Sequence, residues 1–135
     1  MAEIPKDVRD FLESIENERR RTDSETLVDL YSRATGHPPV LWGNMIGFDA
    51  YDYRYQSVHE GRSFLAGFSP RKASLVAYLS SGTEHYPELL SKLGKHKSAV
   101  ACVYINKLAD VDLEVLEKVI VLSYEDMKSR DHFAS

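Results

Sequence analysis

A group of basic side chains follows a short predicted helix in the second half of the chain. The group consists of Lys92, Lys95, His96 and Lys97, and Arg71, Lys72 and Lys107 are further cations that could join it. Ammonium, guanidinium and imidazolium groups donate charge-assisted hydrogen bonds to phosphate and carboxylate oxygens. The favoured interpretation is that these cations complement the negative end of the helix dipole. The alternative is that they converge on a phosphate or carboxylate ligand.

Tyrosines recur in the segments that resemble strands, at positions 51, 53, 55, 78 and 104. Their hydroxyl groups could orient a small ligand, although aromatic strand residues also serve as plain packing. Together with the basic loop they give a candidate ligand site of Tyr53, Tyr78, Lys72, Lys95, His96, Lys97 and Lys107. An enzyme acting on an anionic metabolite is one alternative here, with His96 as its acid or base.

Acidic residues recur along the first predicted helix. Asp7, Asp10 and Glu13 are three residues apart, and carboxylate oxygens suit hard or borderline cations such as iron. At that spacing each side chain is turned by about 60° from the previous one, so the carboxylates fan around the helix instead of converging. A solvated helix face is the favoured interpretation, and the three residues are the candidate metal ligands in the alternative one.

The histidines, the single cysteine and the known catalytic motifs give only weak evidence for a functional site. The five histidines lack the close spacing of a zinc site, although His59 could meet Asp49 or Asp52 across a hairpin. The lone Cys102 stands inside an apolar strand-like run, where we expect a buried and inert thiol. The sequence also lacks a nucleophile elbow, a phosphate-binding glycine loop and a dinucleotide fingerprint, which removes the common hydrolase, nucleotidase and oxidoreductase signatures.

Two helices are predicted before residue 40. Apolar residues at helical spacing predict a first helix over residues 5–18, with the arginines of 19–21 at its end. Thr22 and Glu25 have the spacing of a capping box for the second helix, which should end at Gly36.

Aromatic and β-branched runs at 40–55, 62–70 and 73–81 predict three antiparallel strands. In the first run the apolar residues 46, 48 and 50 occupy alternate positions that share one face of a regular strand. The tyrosines that follow, at 51, 53 and 55, would lie on the other face. Either an irregularity reverses the two faces, with Gly47 as its candidate position, or both faces are partly covered.

The remaining chain predicts a helix at 85–93 closed by Gly94, a strand within 98–106 buried on both faces, and a last helix capped by Asp110 or Asp112. The expected fold class is α+β, with helices on one face of a mainly antiparallel sheet and the order α-α-β-β-β-α-β-α.

Length and composition favour one ordinary globular domain over residues 1–135. The net charge of −4 argues against nucleic-acid binding as a main role. The single cysteine favours a reducing compartment, and the lack of a long apolar run argues against secretion or membrane insertion. We therefore expect a cytoplasmic protein.

Four ordered segments resemble the YdhG-like family of domains of unknown function. They are LWGNMIGFDAYDY, GRSFLAGFSPRK, YPELLSKLGKHK and YINKLADVDLEVLEKVI, and the resemblance covers roughly residues 22–123. It implies a compact α+β fold similar to frataxin in outline, and part of that family carries an iron-chaperone label. The family's recurring positions are here Trp42, Gly43, Phe48, Gly67, Phe68, Lys72, Leu93, Gly94 and Lys95.

Three functions are therefore open at the level of sequence. The first is a noncatalytic, chaperone-like or iron-binding domain, with iron as the ligand that the resemblance implies. The second is a small-anion metabolite-binding protein or enzyme that uses the tyrosine-rich sheet and the basic loop. The third is a protein-interaction module that uses an exposed sheet face or edge.

Overall fold

The computed structural model describes residues 4–54, 60–79 and 81–129, and it leaves the side chains of 50–54 and 60–63 undescribed. Its helices are α1 (Lys6–Glu13), α2 (Glu18–Thr35), α3 (Pro87–Leu93) and α4 (Leu113–Ser129). Its strands are β1 (Val40–Trp42), β2 (Met45–Arg54), β3 (Glu60–Pro70), β4 (Leu75–Tyr78), β5 (Lys97–Ser98) and β6 (Cys102–Ile105). The predicted α+β class and the order of helices and strands are confirmed.

The described strands form one antiparallel sheet with the order β1-β2-β3-β4-β6-β5. Two strands were not predicted as separate elements. The run at 40–55 turns back on itself at Gly43, whose φ of 62° suits a residue without a Cβ, so it forms β1 and β2. The basic loop contributes the short edge strand β5.

All four helices contribute side chains to one hydrophobic core on one face of the sheet. At its centre, the ring of Tyr31 on α2 stacks on Phe48 and Phe68, with centroids 5.2 and 5.5 Å away. Val103 and Ile105 of β6 also belong to this core, so the alternating residues Cys102 and Tyr104 point to the opposite face, which we call the open face. The prediction that β6 is buried on both faces was wrong, because the helices cover only one face of the sheet.

Two successive residues of β2, Phe48 and Asp49, face the helices. Phe48 is buried in the core, and Asp49 also points toward the helices, where its carboxylate contacts Tyr124 of α4. Two successive residues can share a face because Asp49 adopts a φ of 61°, and the register before and after it contains no extra residue. The sequence had offered Gly47 as the candidate position, which was wrong, because Gly47 pairs with Gly67 in the regular register. Gly47 instead makes room for a neighbour, since a Cβ there would lie 2.3 Å from the ring of Phe64.

The boundary between the first two helices differs from the prediction. α1 ends at Glu13, and α2 begins after Asn17, whose side-chain oxygen accepts a 2.9 Å hydrogen bond from the backbone N–H of Arg20. The arginines of 19–21 therefore lie in the first turn of α2, and not at the end of α1. Thr22 lies inside α2 and donates to the carbonyl of Glu18, so the predicted capping box does not form.

The later helix ends follow the sequence signals. Gly36 ends α2 with a φ of 73°, and Gly94 follows α3 with a φ of 114°. Asp112 is the cap of α4, since its Oδ1 accepts hydrogen bonds from the backbone N–H groups of Glu114 and Val115, at 3.0 and 3.3 Å. The described helices include none with the length and hydrophobicity of a membrane span.

Candidate functional site

A cavity of about 500 Å³ opens beside the β5 edge of the sheet. Its lining comes from the turn between β3 and β4, from the loop after α3 and from β6: Ala73, Ser74, Lys95, His96, Lys97, Tyr104 and Asn106. The cavity therefore brings the predicted basic loop together with a strand tyrosine. That tyrosine is Tyr104, which pairs directly with Lys97 in the sheet.

Backbone hydrogen bonds hold both ends of the basic loop. The N–H of Lys95 donates to the carbonyl of Asp110 at 3.2 Å, and Lys97 belongs to β5. Gly94 permits this path, because a Cβ at that position would lie 2.4 Å from the same carbonyl of Asp110. The positions of the two lysine backbones thus follow from the fold, while their long side chains reach into solvent.

The imidazole of His96 also has a fixed local partner. Its Nδ1 lies 2.8 Å from the carbonyl oxygen of Gly94. A carbonyl oxygen only accepts hydrogen bonds, so Nδ1 must carry the proton. In the neutral ring Nε2 is then an acceptor, and it becomes a donor for an anion only when the ring is protonated.

The charge around the cavity is positive, although the whole chain is acidic. Lys95 and Lys97 are exposed, and neither ammonium group pairs with a carboxylate in the described part of the chain. The described lining residues include no Asp or Glu. Electrostatic interaction with Cys102, together with a hydrogen bond to its side chain, raises the pKa of Tyr104.

The other predicted ligand residues lie outside this cavity. Lys72 lines a second cavity on the other side of its turn, and the hydroxyl of Tyr78 accepts a 3.1 Å hydrogen bond from Arg71. Lys107 lies 3.9 Å from the carboxylate of Asp110. The side chain of Tyr53 is outside the described residues.

Sequence reasoning missed Ser74 and Asn106 as lining residues. Ser74 carries no motif of its own, and it reaches the cavity only through the turn that precedes β4. Asn106 could have been found, because it is two residues after Tyr104 and strand periodicity places both on one face.

The candidate metal ligands are all exposed on α1. The ammonium of Lys6 lies 2.7 Å from the carboxylate of Asp10, and Asp7 accepts a hydrogen bond from the N–H of Val8. Within residues 4–54, 60–79 and 81–129, no group of three or more His, Cys, Asp or Glu side chains could hold a metal ion. Iron binding at Asp7, Asp10 and Glu13 stays a prediction.

Two smaller predictions concern histidine and cysteine. The predicted contact of His59 with Asp49 or Asp52 lies outside the described residues. The histidine near Asp49 in the described structure is His37, whose Nε2 is 3.4 Å from the Asp49 carboxylate. Cys102 is only partly buried on the open face, so the expectation of a buried thiol was wrong.

Comparison with protein-family models, curated proteins and solved structures found no match for this chain. The resemblance to the YdhG-like family therefore stays a prediction from the four segments named above.

Proposed function

We propose that this protein is a noncatalytic domain that binds a small anion in the cavity beside β5. The carrying observation is that the ammonium groups of Lys95 and Lys97 have no carboxylate partner within the described residues and stand beside a cavity whose described lining has no carboxylate. Such a site has a local positive potential, and an anionic ligand would neutralise it.

The neutral groups in the lining indicate which kind of anion the cavity would bind. The hydroxyls of Ser74 and Tyr104 and the amide of Asn106 are polar groups that can hydrogen-bond to an oxyanion. Two cations together with several neutral donors suit a ligand of about two negative charges, such as a phosphate or a small dicarboxylate. We expect the lysines to supply most of the attraction and the neutral groups to orient the ligand.

The arrangement of His96 supports a binding role over an enzymatic one. Its Nδ1 is hydrogen-bonded to a backbone carbonyl, and the described cavity lining has no carboxylate to orient or charge the imidazole.

The test is calorimetric titration with inorganic phosphate and with succinate at constant ionic strength. We expect saturable binding to the unmodified protein and a loss of affinity of about tenfold or more in the Lys95→Gln, Lys97→Gln double variant, which removes two charge-assisted contacts. Lys118→Gln is the matched control, because Lys118 is an exposed lysine on α4 outside this cavity. Equal affinities in the double variant and the control would contradict the proposal.

A further inference from the structure

A second cavity of about 510 Å³ lies where the connection between α1 and α2 meets the turns after β1 and β3. Its lining residues are Phe11, Ser14, Ile15, Glu16, Asn17, Arg20, Asn44, Pro70, Arg71 and Lys72. It is separate from the cavity beside β5, with which it shares no lining residue. The turn at residues 71–74 lines both cavities: its first two residues line the second cavity, and its last two line the cavity beside β5.

Arg20 provides the main polar feature of this second cavity. Its Nη1 is buried and has no hydrogen-bond partner within the described residues. Burial also lowers the pKa of Arg20, since the charged guanidinium is partly removed from water. Nη1 itself is closed to a ligand, but Arg20 lines the cavity and its side chain makes no hydrogen bond within the described residues, so its other guanidinium N–H groups can donate to a ligand carboxylate.

Two further cations stand on the opposite side of the cavity. Arg71 and Lys72 are exposed in the turn after β3, and neither pairs with a carboxylate of the described chain. Arg71 is oriented by the hydrogen bond from its Nη2 to the hydroxyl of Tyr78. Glu16 is the one carboxylate among the described lining residues, so three cations face a single anion.

The rest of the wall is apolar. Phe11 and Ile15 are partly buried and pack against the edge of the core, and Pro70 lies beside them in the lining. An inorganic anion would leave this surface unused, whereas a ligand with an apolar body would bury it. A planar carboxylate also matches the fork of guanidinium donors.

From these contacts we propose that the second cavity binds an aryl or alkyl monocarboxylate. The carboxylate accepts hydrogen bonds from Arg20, with Arg71 and Lys72 adding attraction, and the apolar body packs on Phe11 and Ile15. This site is independent of the anion site beside β5.

Fluorine NMR titration of the full chain tests the proposal with two probes of the same shape, 4-fluorophenylacetate and its neutral amide. We expect saturable binding of the acid and at least about tenfold weaker binding of the amide, because the charge-assisted hydrogen bonds are lost. Arg20→Gln should weaken binding of the acid by about tenfold. The Lys95→Gln, Lys97→Gln double variant should bind it normally.

Arg19→Gln is the matched control, since Arg19 is the exposed neighbour of Arg20 and does not line the cavity. Equal affinity for acid and amide, absence of saturation, or equal affinity in Arg20→Gln and Arg19→Gln would each overturn the proposal. Should circular dichroism show that Arg20→Gln does not fold, Lys72→Gln in the exposed turn replaces it. That variant should lose affinity by roughly threefold, and an unchanged affinity would overturn the proposal.

Discussion

The hydroxyl of Tyr124 on α4 donates a 2.6 Å hydrogen bond to Oδ2 of Asp49 in the middle of β2. Asp49 is the non-glycine residue with a positive φ in the described backbone, and Tyr124 is almost fully buried. This contact therefore holds a helix on the sheet at the point where two successive residues of β2 face the helices. Aspartate tolerates this conformation better than most residues, because its short polar side chain can be hydrogen-bonded locally.

Substitutions at Asp49 should separate the backbone contribution to stability from the hydrogen bond. Asp49→Ala loses the acceptor and places an alanine at a positive φ, so we expect its free energy of unfolding to fall by about 2–4 kcal/mol. Asp49→Asn keeps an acceptor oxygen and the tolerance of this φ, and it should cost about 1 kcal/mol. Asp49→Gly also loses the acceptor, but glycine adopts a positive φ without strain. Its free energy of unfolding should therefore lie between those of the Ala and Asn variants. Urea unfolding measures all three, and equal stabilities of the Ala and Asn variants would contradict this account.

The protein should lose stability in alkaline solution. Burial raises the pKa of both Tyr31 and Tyr124 above the ordinary 10.0, and the nearby Asp49 carboxylate adds to the shift at Tyr124. Deprotonation is therefore easier in the unfolded chain, so this stabilisation is complete below the unfolded pKa and is lost as the pH rises toward the folded values. Urea midpoints at about pH 8 and pH 10.5 should show the fall. The fall should be smaller in the Tyr31→Phe, Tyr124→Phe double variant, and an identical fall would contradict the assignment.

Removal of the Tyr31 hydroxyl should leave the protein as stable as before or more stable. The hydroxyl is buried and has no hydrogen-bond partner within the described residues, while the ring stacks on Phe48 and Phe68. Tyr31→Phe keeps the stacking and removes an unsatisfied polar group, so we expect a change of about 0 to +2 kcal/mol in the free energy of unfolding. Tyr31→Leu is the control that removes the stacking. A loss above about 1 kcal/mol in Tyr31→Phe would show that the hydroxyl has a partner.

Local signals in the sequence predicted the class of fold and several helix ends. Gly36 and Gly94 mark the ends of α2 and α3, and both have the positive φ that favours glycine. The start of α2 was missed because three arginines are equally compatible with the end of one helix and the start of the next. Asn17 was the better signal, since asparagine is a favoured N-cap residue.

The candidate site depends on pairing that local signals do not encode. Lys95, His96 and Lys97 were predicted from their charge and spacing alone. Tyr78 and Tyr104 both lie on β-strands, and only the antiparallel pairing of Lys97 with Tyr104 determines which tyrosine joins the loop. Ser74 enters the cavity through a turn far away in sequence, so its role follows from the topology of the sheet.

The iron hypothesis makes its own prediction. An anaerobic titration with ferrous ion should produce saturable amide shifts confined to α1 around Asp7, Asp10 and Glu13, because carboxylate oxygens are the ligands on offer there. The Asp7→Asn, Asp10→Asn, Glu13→Gln variant should abolish them, whereas Glu125→Gln, an exposed change on α4, should not. Shifts no larger than those caused by magnesium would reject iron as the ligand.

The most direct test of the anion site is an amide-resonance titration of the full chain with inorganic phosphate, run beside sodium chloride at equal ionic strength. The account predicts saturable shifts centred on residues 95–98 and on Ser74, Tyr104 and Asn106, with a much smaller response in the Lys95→Gln, Lys97→Gln variant. Shifts that match those of sodium chloride, or that centre elsewhere in the chain, would contradict it.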